Sequence, residues 1–194
     1  MRVSGSHIRA LLVLPLVFLG VSPLCARSQD QPAAPRSLRG WLDPTVKEEY
    51  KKWLREDVVY IITDEERADF KKLLDDKQRD DFVVAFWERR NPTPGAPDNK
   101  FKEEHYRRIA YANQHFAAGI PGWKTDRGRM YIMFGPPDRV EQHPASTGQF
   151  SYEIWRYQLI KGIGEDVHFD FVDTCECGDY HMTVDWSKDA IHKD

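Results

Sequence analysis

Two stretches near the C-terminus alternate so strictly that they leave the chain few ways to fold. Val167, Phe169 and Phe171 are separated by His168 and Asp170; Tyr180, Met182, Val184 and Trp186 are separated by His181, Thr183 and Asp185. A period of two builds a strand with one apolar and one wet face, and such strands pair in an antiparallel sheet. The register follows. With Asp173 opposite Tyr180, Phe171 faces Met182, Phe169 faces Val184 and Val167 faces Trp186. A slip of one residue would set apolar against polar throughout. Residues 152–159 alternate in the same way, with Glu153, Trp155, Tyr157 and Leu159 on one side. Residues 130–134 read as a further strand, followed by a hard turn at Gly135-Pro136-Pro137-Asp138.

The first half has a different period. Asp43-Pro44 is a helix start, with Val46, Tyr50, Trp53 and Leu54 at helical spacing after it. The β-branched run at 58–62 reads as a short strand. Thr63 and Glu66 form a capping box, and Phe70, Leu73 and Leu74 make the stripe of the helix it opens. The charged run at 75–81 reads as a break or an exposed turn, and Phe82, Val83, Phe86 and Trp87 form the next stripe, ended by Asn91-Pro92. A proline-bearing loop covers 91–97. Asp98 or Asn99 then caps a long helix with Phe101, His105, Ile109, Ala112 and Phe116 along one side, closed at Gly119. The two helices around the loop are expected to form an antiparallel hairpin. The class is therefore α+β, with helices of the N-terminal half packed on one face of an antiparallel sheet formed by the C-terminal half.

The N-terminus has the order of a signal peptide. Arg2, His7 and Arg9 come first, then an apolar run at 11–21, then Leu24-Cys25-Ala26. The expected organisation is a signal peptide at 1–26, a flexible tail at 27–40 with Pro32 and Pro35, and a single domain at 41–190. Leu24 stands where a lipidated cysteine needs a small residue, so ordinary cleavage and a periplasmic or secreted address are expected. Cleavage makes a net charge of −3 more negative by removing Arg2 and Arg9. That argues against bulk nucleic-acid binding. No later apolar stretch is long enough to cross a bilayer, so the chain is not expected to be an integral membrane protein. Cys175 and Cys177 would remain, as a small disulfide or as two thiols.

Between the halves lies Gly122-Trp123-Lys124-Thr125-Asp126, where Gly122 frees the backbone and Thr125 and Asp126 can accept backbone amides. Around it stand Phe86-Trp87-Glu88-Arg89-Arg90 with Pro92 and Pro94-Gly95, Tyr106-Arg107-Arg108-Ile109, and Gly135-Pro136-Pro137-Asp138. This ordered set resembles the bacterial GWxTD-domain proteins from about Trp53 to Trp186. The resemblance implies export and carries no catalytic role. The second half also resembles, more weakly, small envelope proteins of outer-membrane assembly, which act by binding other proteins.

No Gly-x-Ser-x-Gly, His-Glu-x-x-His or glycine-rich phosphate loop is present, and no cofactor or catalytic residue is assigned. The reading is a non-catalytic, exported binding or assembly module whose partner is another envelope protein. Its binding surface is expected at Arg89, Arg90, Gly122, Trp123, Thr125, Asp126, Pro136, Pro137 and Asp138. Trp123 would anchor this surface in the core, and Asp126 would pin it by pairing with Arg89, Arg90 or Arg107. The alternative is an extracytoplasmic hydrolase using Asp126 or a metal on the face of His168, Asp170, His181 and Asp185. A polar pocket converging on Asp126 would favour the enzyme, and an apolar patch beside the proline loop would favour the binder.

Overall fold

The computed structural model describes residues 46–183. Five α-helices precede a four-stranded antiparallel sheet: α1 (Glu48–Lys52), α2 (Asp64–Lys72), α3 (Asp76–Arg89), α4 (Lys100–His115), α5 (Asp126–Phe134), β1 (Arg139–His143), β2 (Ser151–Ile160), β3 (Gly164–Asp173) and β4 (His181–Met182). The strands lie in sequence order across the sheet. Asp43, Pro44, Val184, Asp185 and Trp186 fall outside the described residues, as do the leader and tail expected at 1–40.

The helical half follows its caps. Thr63 and Glu66 close the expected box over α2: the Thr63 side chain accepts the Glu66 amide, and Glu66 accepts the Thr63 amide. Asn99 caps α4 by accepting the Lys102 amide. The charged run at 75–81 is not a break. Asp75 caps α3 by accepting the Gln78 amide, and its acidic neighbours suit a helix start. Residues 58–62 are not a strand either. The Val58 amide donates back to the Trp53 carbonyl, closing a π-type turn, and Ile61 and Ile62 donate to the Val58 carbonyl. These local bonds, with Arg67 donating to the Val59 carbonyl and Arg90 to that of Ile61, take backbone groups that a strand would pair. The last helix before the motif stops at His115 rather than at Gly119.

The largest correction is at 130–134. This is the second half of α5, and Met130, Tyr131 and Ile132 are consecutively buried. A short apolar run has no period of its own, and here the Thr125 cap decides for helix. In the sheet, β2 and β3 pair Trp155 with Phe169 and Glu153 with Phe171. The predicted pairings of Phe171 with Met182 and of Val172 with His181 are present. Leu159 leaves the alternation: it is 65 % exposed, and Ile160 is buried instead.

Two cores form. One holds Tyr50, Trp53, Leu54, Phe70, Phe86 and Trp87 from α1 to α3 and the π-type turn. The other packs Met130 and Tyr131 of α5, with Tyr111 and Phe116, on Trp155, Tyr157, Phe169 and Phe171 of the sheet. Among the described residues, α5 and the end of α4 therefore supply the apolar cover for the sheet, while the earlier helices fill a core of their own. The two helices around the proline loop, α3 and α4, meet at Trp87, whose ring lies 5.5–6.5 Å from those of Phe101, His105 and Tyr106.

Candidate functional site

The motif forms the corner where α4, a short 3₁₀ turn (Gly122–Lys124) and α5 meet. Its two glycines are there for space. A Cβ on Gly122 would lie 1.8 Å from the Ala112 carbonyl oxygen of α4, and one on Gly128 would lie 1.8 Å from the Gly122 oxygen. Three backbones are thus in direct contact, an approach open only to glycine. Thr125, 3 % exposed, joins them: its hydroxyl donates to the Gly122 carbonyl at 2.8 Å and accepts the Gly128 amide at 3.1 Å. Asp126 reaches across to the sheet. Its Oδ2 accepts the Met182 amide at 2.9 Å, Arg129 lies 3.6 Å from Oδ1, and His181 Nδ1 lies 3.7 Å from Oδ2. The expected partners Arg89, Arg90 and Arg107 are elsewhere: the first two bind Glu66 and the third binds Glu104.

Behind the corner is a buried ion pair that sequence reasoning missed. Arg127 donates to Glu153 at 3.3 Å and to the Gly178 carbonyl at 2.8 Å, and its guanidinium lies 4.1 Å from the centre of the Tyr180 ring. Glu153 also accepts from the Trp155 indole at 3.0 Å and from Gln142 at 3.2 Å. Both side chains are about one-tenth exposed. The signal was present: Glu153 shares the apolar face with Trp155 and Tyr157, and a carboxylate in such a series requires a buried partner.

Trp123 is half-buried, so it is not the core anchor expected of it. Its ring lies 6.3 Å from that of Tyr60, its amide donates to Asn113, and its carbonyl accepts from Tyr60. Pro136, Pro137 and Asp138 lie beyond the other end of α5, about 13 Å away for nine residues. There Asp138 accepts the Gln158 amide at 2.6 Å and donates its own amide to the Arg156 carbonyl. Arg89 and Arg90 clamp Glu66. Burial pushes that carboxyl up, but hydrogen bonds from Arg90 and Arg89 outweigh it and hold its pKa at about 2. The expected surface residues thus form three separate braces. Asp185 of the expected metal face lies outside the described residues; of the others, His168 lies across from Arg156, while His181 sits 3.2 Å from Asp179.

An open space lies beside the proline loop. Glu88 accepts the Gly95 amide at 2.7 Å, Asn91 accepts the Thr93 amide, and Asn99 donates to the Trp87 carbonyl, so polar side chains hold the loop at both ends. Between this loop, α3 and α4 runs a groove of about 500 Å³. Val83, Val84, Trp87, Ala96, Pro97 and Tyr106 supply its apolar surface, and Glu88, Asp98, Lys102 and Glu103 its charge. Val84 is 69 % exposed.

Asp126 and His181 have no nucleophilic hydroxyl or thiol among their partners in the described residues, and the Asp126 carboxylate is engaged by the Met182 amide. Among the described residues no helix is long and apolar enough to cross a membrane. Comparison with curated proteins finds no match, and comparison with solved structures finds none. The model of the GWxTD domain matches residues 44–184, from the first helix through the glycine-packed corner to the last strand, and the chain belongs to the GWxTD-domain family.

Proposed function

We propose that this chain is an exported, non-catalytic protein-binding or assembly module of the cell envelope, and that it binds through the groove beside the proline loop. The observation that carries the reading is the pairing of a rigid loop with unspent apolar surface. The loop is fixed by Glu88 and Asn99, and Val84 stands exposed in the groove beside it. A preformed surface of this kind loses little entropy when a partner docks. Asp126, Thr125 and Gly122, by contrast, are consumed by contacts within the chain. On this reading the motif is a scaffold for the binding face rather than the face itself.

The test is site-specific photo-cross-linking in the native envelope. A photoreactive residue at position 84 is expected to capture one partner protein, and the same residue at exposed Leu159 is expected to capture none. Val84→Asp, melting like wild type, is expected to lose that partner in co-purification. Equal capture from both positions, or none from position 84, would remove the groove as the binding face.

A further inference from the structure

The loop between β3 and β4 carries Cys175 and Cys177, which are joined to each other with a sequence separation of 2. Three features set this disulfide apart from a structural staple. First, so short a loop returns the least chain entropy when closed, so the bond contributes little to holding the fold. Second, both cysteines are exposed, whereas stapling disulfides are usually shielded from exchange. Third, the loop is organised without the bond. Asp173, 4 % exposed, aims its carboxylate into the loop, where it accepts the Cys177 amide at 3.1 Å and the Gly178 amide at 2.7 Å. Gly178 is tied in turn to Arg127. Opening the disulfide would leave these bonds in place and both sulfurs within reach of each other.

We propose that Cys175 and Cys177 form a reversible thiol–disulfide exchange site whose substrates are exposed thiols of other proteins or small molecules. Asp173 sets the order of events. Its Oδ1 lies 3.2 Å from Cys175 Sγ, where a carboxylate disfavours an incoming anion but accepts a hydrogen bond from a neutral thiol. The substrate thiolate therefore attacks Cys177 Sγ. The bond between the two cysteines breaks, and a mixed disulfide forms on Cys177. Cys175 takes a proton from water as the bond breaks, so that no thiolate builds up beside Asp173, and donates its S–H to Asp173. A second substrate thiolate then attacks the substrate sulfur of the mixed disulfide. It releases Cys177 as a thiolate and joins the two substrates. Two thiols are oxidised to one disulfide, and the cysteine pair is reduced by two electrons. Asp173 touches a reacting sulfur, while Arg127 acts through the loop as a positioning residue. This inference stands independently of the groove, and the exchange is stoichiometric: each cysteine pair is spent on one substrate disulfide, with no turnover.

The test uses the full chain carrying Cys25→Ser, so that no third thiol competes. The folded protein is incubated with reduced glutathione, quenched with acid, alkylated and mapped by mass spectrometry. A glutathione adduct on Cys177 with alkylated Cys175 is expected, without denaturant. With oxidised glutathione, Cys175→Ser is expected to hold a stable adduct on Cys177. Cys177→Ser is expected to form its adduct at least several-fold more slowly. A disulfide that resists reduced glutathione until the protein is unfolded would overturn the exchange site. Adducts carried preferentially on Cys175 would overturn the role given to Asp173.

Discussion

The glycine corner and the proline-loop groove are both rich in family motif residues, yet they spend them in opposite ways. At the corner four of the motif and flanking residues are used inward. Gly122 and Gly128 let three backbones touch, Thr125 hydrogen-bonds two of them, and Asp126 ties the start of α5 to β4. At the groove the polar residues fix the loop, and Val84 and Pro97 are left facing solvent. A residue-specific sequence pattern can thus mark either a packing constraint or a surface. The two are told apart by asking whether the contacts of each residue are already satisfied.

The comparison breaks most easily at Gly122. Gly122→Ala places a methyl group on the Ala112 carbonyl oxygen, and neither backbone can yield without displacing α4 from the 3₁₀ turn. A loss of about 3 kcal/mol or more is expected, at the upper end of overpacking costs. It should appear as a collapse of the thermal transition. Wild-type melting by Gly122→Ala would mean that the corner is slack and that its residues are free for another role.

Next comes the ion pair under the corner. Arg127→Met leaves Glu153 buried without its cation and is expected to destabilise by about 3–5 kcal/mol. Removing both charges in Arg127→Met with Glu153→Leu is expected to recover much of that loss, because a well-packed apolar pair is often as stable as a buried salt bridge. Denaturant unfolding of the single and double variants measures the coupling directly. Additive losses would show that the pair does not act as a unit.

How much of this was legible in the sequence depended on whether the signal was local. The Thr63–Glu66 box, the Asn99 cap and the pairing of Phe171 with Met182 follow from residues a few positions apart or from strict alternation. Residues 130–134 could not be read so easily. Met-Tyr-Ile-Met-Phe has no polar face to report its period, and the cap that makes it helical is Thr125, placed by its contact with Gly122. Likewise the burial of Asp126 contacts depends on β4, 56 residues away in the chain. The groove was foreseen as a proline loop but not as a cavity, because its floor is set by where α3 and α4 meet at Trp87.

Acid should separate the regions without mutation, since the helical half holds titratable groups of its own. Burial lowers the pKa of His105; the hydrogen bond to the Asp57 carbonyl raises it in part, and repulsion from Arg108 and Arg90 lowers it further. Folding therefore favours the neutral ring. Its stability is fully present above the ordinary histidine value of 6.5 and declines as pH falls below it. Glu66 follows at lower pH: its contribution holds above the ordinary 4.5 and is lost as pH falls toward about 2. Melting temperature followed downward from neutral pH is expected to fall in these two stages, and His105→Gln is expected to flatten the first. A first stage unchanged in His105→Gln would place the acid-sensitive group elsewhere.

The smallest effect is the most informative about the groove. Val84→Asp exchanges one exposed apolar side chain for a charged one on a helix whose buried face is formed by Phe86 and Trp87. Its stability is expected to stay within about 0.5 kcal/mol of wild type, as for surface changes away from packed features. Leu159→Asp on the sheet is expected to do the same. Both residues are mostly exposed, so stability alone cannot rank them. If Val84→Asp instead unfolds the chain, then Val84 is part of the core that holds α3. Its exposure would then offer no surface to a partner. If both variants melt like wild type, any difference between them in partner binding belongs to the groove.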